Sequence, residues 1–464
     1  MARGWHACIT LGLPYDNRAL YTGGIAGRAP ERRRARLRRP HAYIQRADSR
    51  AWGPAVEILE LVLATFGSLF ALGSLAGSLF LIRRASRFNE RVRAEITAAA
   101  PPFHPPATLV VPSRGDPNAL EPNLRALLRQ DYPALETILV VDSRADPLFA
   151  LCERLCAELA PGRARAVATE DFPVTARASG KCAAQVRGLR EVSPISQVLA
   201  FADDDITPPP EWLSRLVTPL GDDKVAVTTA YRWYVSSGGG LASHIRSAWS
   251  QTGLHIMFDP KWNFAWGGGM AMRREDFDKW QVAKGWEKAI SDDYVVTISA
   301  KKDGRAITFV PLALAPSRES VTFSQLLEWC RRQTFMTRIY DPHLWKFALA
   351  PYLLFNGTMV LGFAVLLAAA VGVAIPFWAL LAAAAFAMHF PLNLVKNAVY
   401  YRGISVMLPQ RASELRSLFG AYLIGGSLSP FVMIWALLTT RDLRHIEWRG
   451  RKYEVNGPLD VRPL

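Results

Sequence analysis

The sequence predicts an α/β domain joined to a bundle of membrane-spanning helices. Two observations support this fold class. Between residues 105 and 345, short apolar segments that end in carboxylates alternate with segments of helical periodicity. Long runs without any charged residue lie on both sides of that region. With 464 residues and 50% hydrophobic content, the chain is long enough to build both parts.

The uncharged runs are long enough to cross a bilayer as helices. The first gives a transmembrane helix at 56–82, whose uncharged part would reach about 33 Å at 1.5 Å per residue. The run at 347–395 has room for two helices with a break near Gly372, and a last run covers 417–440. We therefore predict four spans, three of them within 347–440.

Basic residues flank these runs. The net charge is +15, and Arg83, Arg84 and Arg87 follow the first span directly. Because basic flanks favour the cytoplasmic side, we predict an integral, multi-pass membrane protein with its α/β domain on the cytoplasmic face, at the inner membrane if the protein is bacterial. Nucleic-acid binding is the rival explanation of the charge. Bilayer spans with basic edges explain it more simply, so we expect no nucleic-acid partner.

Basic tails are predicted outside the two structured parts. Residues 1–50 are rich in arginine and are expected to be disordered, and 441–464 are assigned as a basic C-terminal tail. Four crossings would place this second tail opposite the α/β domain, against the positive-inside tendency. The alternative is that the last uncharged run, which Gly425 and Pro430 interrupt, enters the membrane and returns without crossing.

The α/β domain begins with a βαβ unit. A strand at 108–111, a helix at 120–130 and a strand at 137–142 follow one another within about 35 residues. The next predicted elements are a helix at 147–159, strands at 164–169, 198–201 and 225–229, and a helix at 181–191. This order is typical of a Rossmann-like fold, in which ligands bind at the carboxyl ends of the strands.

Three adjacent carboxylates follow the central strand, at Asp203, Asp204 and Asp205. Such neighbours repel one another unless a cation lies among them, and hard oxygen ligands favour Mg²⁺ or Mn²⁺. The other interpretation is a solvated acidic turn.

Three further segments are candidates for function. The glycines of Trp266–Met270 permit close approach of the backbone to a ligand, or form a packing turn. A helix is predicted to begin at Ser291 to Tyr294, and its aspartates Asp292 and Asp293 lie at the N-cap and first turn, where negative charge is favourable. We expect one of the two to cap the helix and the other to remain free. The aromatic and basic stretch 323–345 is predicted to lie as a helix in the headgroup plane.

Together these motifs resemble the family 2-like membrane glycosyltransferases, and most closely the ceramide glucosyltransferase branch. The resemblance implies that 105–345 form a GT-A catalytic domain. It also extends to the segment from Ile446 to Tyr453, which is similar to the end of the ceramide branch. The implied sites are nucleotide contacts at Asp142, a donor-side Lys181, a DxD pair of Asp203 and Asp205 that holds Mg²⁺ or Mn²⁺, an acceptor loop around Gly268, and a catalytic base at Asp293, with Asp292 as the second choice.

One departure from the family pattern bears on the product. The Gln/Arg-x-x-Arg-Trp motif corresponds here to Trp329 through Gln333, in which Arg332 is retained and Gln333 replaces the final tryptophan. We assign Trp329, Arg332 and Gln333 to substrate binding, with Arg332 as a cationic contact to the diphosphate. In processive synthases of the wider family that tryptophan stacks on the growing sugar chain, so its absence favours transfer of a single sugar.

The resulting prediction is an inverting transfer of one sugar from a UDP-sugar to the hydroxyl of a membrane lipid of ceramide, hopanoid or glycerolipid type. The alternatives are a polyprenyl-phosphate glycosyltransferase, a processive polysaccharide synthase, and a non-catalytic protein that binds lipid or nucleotide sugar.

Overall fold

The computed structural model describes residues 49–98, 101–171, 178–238 and 240–464. The chain divides into two compact units, 1–56 and 57–464. In the first unit the description begins with the start of a helix at residue 49, so the predicted disordered tail lies almost wholly outside the described residues. The second unit contains the α/β domain and the apolar helices.

The described part of the α/β domain contains nine strands. They are β1 (Ala107–Pro112), β2 (Leu135–Val141), β3 (Ala164–Ala168), β4 (Val198–Ala202), β5 (Val225–Thr229), β6 (Arg232–Val235), β7 (Gly269–Arg273), β8 (Ala306–Phe309) and β9 (Ala315–Arg318). Seven of them form a mixed sheet in the order β3-β2-β1-β4-β7-β5-β8, in which β7 runs antiparallel to both neighbours. The other two, β6 and β9, pair with each other in parallel.

Helices pack on both faces of the sheet and continue into the apolar region. They are α1 (Ser49–Thr97), α2 (Pro117–Leu128), α3 (Pro147–Leu159), α4 (Gly180–Leu189), α5 (Trp212–Val217), α6 (Leu241–Leu254), α7 (Arg274–Lys279), α8 (Val282–Trp286), α9 (Asp292–Lys302), α10 (Phe323–Tyr340), α11 (Pro342–Ala370), α12 (Phe377–Met407) and α13 (Ala412–Thr439). One core lies between the sheet and α2, α3 and α5, and another between the sheet and α4, α8 and α9. Every residue of β1, β4 and β5 is buried, as expected for strands that are covered on both faces.

Capping residues fix where the functional helices begin. Ser179 accepts a hydrogen bond from the backbone N–H of Cys182 at 3.1 Å and so starts α4, which places Lys181 in the first turn. Thr322 and Gln325 form a capping box at the start of α10. These local signals set the positions of two predicted site segments.

Among the described residues, four helices are long and apolar enough to cross a membrane. They are α1 from Glu57 onward, α11, α12, and α13 together with the short turn at 409–411 that precedes it. Between α11 and α12 the chain turns at 371–376, where Gly372 has a φ of +81°. The predicted break therefore falls in this turn.

Helix α13 differs from the other three because it lies against the α/β domain along its length. Near its start, Glu414 forms an ion pair with Arg318 at 2.9 Å. Near its end, the carbonyl of Ala436 accepts a hydrogen bond from Thr334 Oγ1 of α10 at 3.3 Å. In an 18-residue apolar stretch of α13, 56% is buried inside the protein, whereas the corresponding share for α1 is 11%. Both ends of α13 thus contact the same side of the molecule.

Residues 441–464, which we expected to be a basic tail, fold into a three-stranded antiparallel sheet. Its strands are β10 (His445–Trp448), β11 (Arg451–Gly457) and β12 (Asp460–Pro463). The apolar side chains of Ile446, Tyr453, Val455 and Val461 pack against Phe335 and Tyr340 of α10. These apolar residues alternate with polar ones along short strands, and their burial against α10 stabilises the folded segment. The high overall charge of the segment masks this alternation in the sequence.

One predicted boundary differs from the structure, and the glycine segment leads into a strand that the sequence did not predict. The stretch 323–345 is divided between α10 and α11, because Asp341 ends the first helix and caps the second by accepting from the backbone N–H of Leu344. The glycine segment that begins at Trp266 leads directly into strand β7, which pairs with the central strand β4. The glycines therefore lie beside the acidic triplet.

Candidate active site

The candidate site forms at the carboxyl ends of β1, β2 and β4. These parallel strands end side by side, which brings Arg114, Asp142 and the triplet Asp203–Asp205 to one edge of the sheet. Asp204 is only 1% exposed, whereas its two neighbours are partly exposed to the site. The acidic triplet is therefore part of a built site and is not a solvated turn.

A single arginine joins the two outer aspartates of the triplet. Arg232 Nη2 lies 2.6 Å from Asp203 Oδ2 and 2.6 Å from Asp205 Oδ1, and its Nη1 lies 2.8 Å from Asp205 Oδ2. The guanidinium also lies over the ring of Trp266 at 5.3 Å. The outer carboxylates thus converge on one cationic position.

The middle aspartate has a different cationic partner. Asp204 Oδ1 lies 2.9 Å from Arg449 Nη2, and Asp204 Oδ2 accepts a hydrogen bond from the backbone N–H of Arg114 at 2.8 Å. Arg449 lies in the turn between β10 and β11 of the C-terminal sheet and has a φ of +48°, in the left-handed region. Folding of that sheet therefore supplies a counter-ion to the acidic strand end.

Asp142 lies between two arginines. Its Oδ2 is 2.7 Å from Arg114 Nη1 and 3.1 Å from Arg451 Nη2. Gly180 is close by, since its backbone N–H donates to Tyr453 OH at 3.1 Å. Asp142, the residue predicted to contact the nucleotide, therefore lies in a group of charged side chains between the sheet edge, α4 and the C-terminal sheet.

Lys181 links the acidic triplet to the aspartates of α9. Its Nζ lies 2.8 Å from Asp203 Oδ1 and 3.2 Å from Asp292 Oδ2, and it donates to the carbonyl of Gly267 at 3.1 Å. Burial disfavours the charge of this lysine, but Asp203 and Asp292 outweigh burial and raise its pKa. In turn, burial alone would raise the pKa of Asp203, and the nearby Lys181 and Arg232 hold it below its usual range.

The two aspartates at the start of α9 have different surroundings. Asp292 is 2% exposed and accepts from Gln185 Nε2 at 2.8 Å in addition to its contact with Lys181. Asp293 is half-buried, accepts from Ser291 Oγ and from the backbone N–H of Gly267, and lines the main cavity. Burial, and then the neighbouring charge of Asp292, raise the pKa of Asp293 to about 6.

The expected division into a capping and a free aspartate is wrong in its detail. The residue at the N-cap position of α9 is Ser291, which makes no capping hydrogen bond with its side chain, and both aspartates lie in the first turn. The side chain of Asp292 is held by Lys181 and Gln185. Tertiary partners therefore replace the expected local cap.

The glycines before β7 allow close packing around these carboxylates. A Cβ at Gly268 would lie 2.6 Å from Asp203 Oδ2, and one at Gly267 would lie 2.5 Å from Asp292 Oδ2. Both distances are too short for real Cβ atoms. Gly268 also lines the cavity. The segment therefore packs closely against the carboxylates and also borders the space that a ligand would enter.

Helix α10 contributes all three residues of the altered motif to the cavity wall. Trp329 packs edge-to-face on Trp249 at 4.8 Å and on Tyr234 at 5.5 Å. Arg332 lies over the ring of Trp448 at 5.3 Å and has no ion pair among the described residues, and burial lowers its pKa. Its guanidinium is therefore available to an anion in the cavity, beside Gln333.

The oxygen donors expected for Mg²⁺ or Mn²⁺ are present, but a cationic side chain lies between them. Asp203 and Asp205 converge on Arg232. Within the described residues, no group of three or more His, Cys, Asp or Glu side chains could hold a metal ion. A cation here would have two protein carboxylates, would take its other oxygen ligands from substrate or water, and would require Arg232 to move aside.

One continuous cavity of about 750 Å³ connects these groups to the apolar helices. Its lining includes Arg114, Asp142 and Asp293 of the α/β domain and residues of the apolar helices α1, α11, α12 and α13, such as Phe355. Its wall is therefore rich in charged side chains within the α/β domain and mostly apolar among the helices, where Arg84 and Lys396 are exceptions.

Sequence reasoning missed three arginines of the site. Arg449 and Arg451 lie in the segment that carried the family resemblance, which was a signal that they matter. Arg232 had no such signal, because it follows strand β5 within a run of aromatic residues. All three contact carboxylates that are distant in sequence.

Comparison with protein-family models assigns the sequence of this chain to a family. The sequence model of glycosyl transferase family 21 matches residues 69–458. The chain belongs to glycosyl transferase family 21. This family includes ceramide glucosyltransferases, so the predicted resemblance is confirmed at the level of the family. A comparison with curated proteins gave no significant match.

Solved structures are similar to this family 21 chain at low identity. A mannosyltransferase from Pyrobaculum calidifontis, in complex with GDP-mannose and Mn²⁺, is 16% identical, with 81% of this chain and 98% of that chain covered and a TM-score of 0.43. A glucosyl-3-phosphoglycerate synthase from Mycobacterium tuberculosis, with Mn²⁺, UDP-glucose and phosphoglyceric acid, is 19% identical, with 48% and 75% covered and a TM-score of 0.33. Neither likeness assigns a donor or an acceptor to this chain.

Membership of family 21 makes the protein a glycosyltransferase. The mixed sheet, the helices on its two faces and the four apolar helices confirm the predicted fold class, an α/β GT-A domain attached to a helical membrane region.

Proposed function

We propose that this family 21 glycosyltransferase transfers one sugar from a UDP-sugar to the hydroxyl of a membrane lipid, with inversion at the anomeric carbon. The observation that carries the proposal is the cavity. It leads without interruption from the carboxylates at the strand ends to the space between helices α1, α11 and α12. A soluble acceptor would not need an apolar end to this cavity, whereas a lipid would fill it.

The donor would bind at the polar end. Asp142 and its arginine partners would hold the nucleoside, and the guanidinium of Arg332, which has no ion pair among the described residues, would contact the diphosphate. Asp203 and Asp205 would hold a divalent cation after Arg232 moves aside. When bound, such an ion stabilises the negative charge of the leaving diphosphate as a Lewis acid.

Asp293 is the proposed general base. It is the aspartate of the pair that keeps exposed surface toward the cavity, and its pKa of about 6 suits a group that removes a proton near neutral pH. Asp292, bound to Lys181 and Gln185, would position Asp293 and Lys181. An acceptor hydroxyl beside Asp293 would then attack the sugar from the face opposite the departing UDP.

The acceptor lipid would enter between the apolar helices. Trp249 and Trp329 line the middle of the cavity, and Phe355 and Leu392 line its apolar end. Aromatic faces suit the sugar ring near the reaction centre, and aliphatic walls suit an acyl chain. Gln333 replaces the aromatic residue that processive synthases use to hold a growing chain, which supports transfer of a single sugar.

We place the α/β domain on the cytoplasmic face, where nucleotide sugars are made. Arg83, Arg84 and Arg87 follow the apolar part of α1 on the side of that domain, as the positive-inside tendency requires.

The test is a reconstituted transfer assay. The purified full chain in lipid nanodiscs is given separate UDP-sugars with Mg²⁺ or Mn²⁺ and a membrane lipid extract. UDP release and the mass of the lipid products are measured. A lipid that gains one hexose and depends on Asp293 supports the proposal. A chain of sugars indicates a processive synthase, and a sugar on a polyprenyl phosphate indicates the other enzymatic alternative. Binding of UDP without release from any donor indicates a non-catalytic protein.

A further inference from the structure

Positively charged side chains line the cavity where it passes from the α/β domain into the apolar helices. Arg84 extends from α1, and Lys396 extends from α12. His255, which follows α6, lies in the same wall. The proposed chemistry gives these residues no role.

Lys396 is the residue of this group that most needs an explanation. It directly follows the uncharged run of α12, is half-buried, and lies one turn after the cavity-lining Leu392. Within the described residues it makes no hydrogen bond and no ion pair. An ammonium group at the end of an apolar run of residues is costly unless a counter-charge or water reaches it, and the cavity is where either can do so.

Arg84 is only weakly neutralised. Its nearest carboxylate is Asp259 at 3.6 Å, and both side chains of this pair are about one third exposed. His255 adds no charge near neutral pH, because burial and then Arg84 lower its pKa to about 4. A second cavity of about 240 Å³ adjoins this point, and Asp259 is the one carboxylate among its lining residues, with four arginines: Arg83, Arg84, Arg87 and Arg91. The arginines around this point therefore outnumber the one carboxylate that lies among them.

Arg84 and Lys396 lie at the level along their helices where lipid headgroups are expected. Arg84 follows the end of the first uncharged run, and Lys396 follows the end of the second, 347–395, both on the side of the α/β domain. Beyond Lys396, Tyr400 and Ile404 of α12 pack with Trp233 of that domain in one core. Helices that leave the bilayer at this level bring their basic residues to the plane of phosphates and carboxylates.

We propose that Arg84 and Lys396 form a subsite for an anionic group, a phosphate or a carboxylate, on the acceptor lipid. This proposal rests on the proposed function and extends it, because it selects a charged acceptor over a neutral one. The anion belongs to the acceptor and not to a surrounding bilayer lipid, since both side chains line the same cavity as Asp293. The acceptor hydroxyl would lie near Asp293 while the anion would contact Lys396.

The test compares an anionic and a neutral lipid that both carry a free hydroxyl. The full chain in detergent is equilibrated with radiolabelled phosphatidylglycerol or dioleoylglycerol, and bound lipid per protein is measured for wild type, Lys396→Gln and Arg84→Gln. Removal of a charge-assisted contact should weaken phosphatidylglycerol binding about 10- to 100-fold and leave dioleoylglycerol binding unchanged. The matched control is Lys346→Gln, since Lys346 is an exposed lysine near the start of α11 that does not line the cavity.

UDP affinity and the melting temperature report whether a variant is folded, and they should not change. Equal binding of both lipids by the wild type, or unchanged phosphatidylglycerol binding in folded Lys396→Gln, would overturn the subsite.

The transfer assay then decides the source of the anion. Glycosylation of the anionic lipid that falls in Lys396→Gln supports the proposal. Glycosylation of only the neutral lipid, with Lys396-dependent binding of the anionic one, would mean that the anion comes from a bilayer lipid and would overturn the assignment to the acceptor. If no lipid is glycosylated while binding still depends on Lys396, the proposed function fails and the lipid subsite stands.

Discussion

Asp292 and Asp293 are neighbours in sequence, but their contacts predict different consequences of substitution. Asp293→Asn keeps the shape of the side chain and removes its ability to accept a proton. Because the donor-side residues are untouched, UDP affinity should change little while turnover falls about 10²- to 10⁴-fold. Calorimetric titration of UDP and the rate of glycolipid formation test both parts.

Asp292→Asn is the comparison variant. It removes a buried partner of Lys181, so a lower melting temperature should accompany any loss of activity. An active Asp293→Asn beside an inactive, stable Asp292→Asn would mean that the base is assigned to the wrong residue.

The pH dependence of turnover should report Asp293. Its pKa is raised to about 6, and the base acts only when deprotonated, so kcat should rise with pH through about 6 and then become constant. Since the charge of Asp292 contributes to this shift, the midpoint should move to lower pH in Asp292→Asn. Initial rates between about pH 4.5 and 8 would show both, and a midpoint that does not respond to Asp292→Asn would contradict the assignment.

Arg232 should determine how the unliganded site responds to metal. Arg232→Gln leaves Asp203 and Asp205 facing each other without their shared cation, so the variant should melt several degrees lower in chelator and regain stability when Mn²⁺ is added. The melting temperature of the wild type should change much less with Mn²⁺, because the metal must displace a guanidinium.

A suitable control for this experiment is Arg273→Gln, which removes an arginine paired with the exposed Asp223 away from the site. Identical responses of Arg232→Gln and wild type to Mn²⁺ would show that the two carboxylates do not form the metal position.

The acidic residues of the site could be predicted from sequence, whereas most of their partners could not. Asp203, Asp205 and Asp293 follow local patterns, a strand end and a helix start, that a reader can recognise in a few residues. The contacts of Arg232 and Arg449 depend on how the chain folds back over long separations in sequence, and no local pattern encodes this. Lys181 was identified, but its role as a bridge between two carboxylates required the structure.

At the scale of elements, α13 should not cross the membrane. Its start contacts Arg318, its end contacts Thr334, and the sheet that follows reaches Asp204, so both ends lie on the side of the α/β domain. This favours the alternative to four crossings. A cysteine at the exposed Leu459 should therefore be protected from a membrane-impermeant maleimide in intact cells and react after permeabilisation.

A cysteine at Val373, in the turn between α11 and α12, is the positive control and should react from outside. Labelling of the Leu459 position in intact cells would instead support four crossings.

The contact between α13 and α6 predicts a matched pair of glycine substitutions. A Cβ at Gly425 would lie 2.6 Å from the backbone carbon of His244, so Gly425→Ala must separate the two helices and should cost about 1–3 kcal/mol. Nothing lies within 4 Å of a Cβ at Gly420 in the same helix, and alanine there should be neutral or stabilising by up to about 1 kcal/mol. Thermal unfolding in detergent distinguishes them, and equal melting temperatures would contradict the packing described.

The elements with long or continuous apolar patterns were predictable, and the short ones were not. Strands β1, β2, β4 and β5 and helix α3 were recognised because their burial leaves a clear apolar sequence. The sheet of β10, β11 and β12 alternates charged with apolar residues and looks like a basic tail when only charge is counted. Length and lack of charge identified α13 as apolar, but they could not reveal that α6 covers one of its sides.

For the whole molecule, the balance of charge differs between the two ends of one cavity. At the sheet edge, carboxylates are neutralised by arginines from several parts of the chain, while at the membrane end Arg84 and Lys396 remain largely uncompensated. A substrate that spans the cavity would thus meet a different electrostatic environment at each end. The α/β domain and the apolar helices form one binding surface.

The C-terminal sheet also has a consequence for biosynthesis. Residues 441–464 emerge from the ribosome after the four described apolar helices, yet they carry Arg449, the counter-ion of Asp204, and Arg451, a partner of Asp142. A nascent chain that has just completed α13 would already be embedded in the bilayer, with Asp204 lacking its counter-ion and Asp142 paired with Arg114 alone. Competence for catalysis would then arise as a late step, after the polypeptide is anchored in the membrane that holds its proposed acceptor.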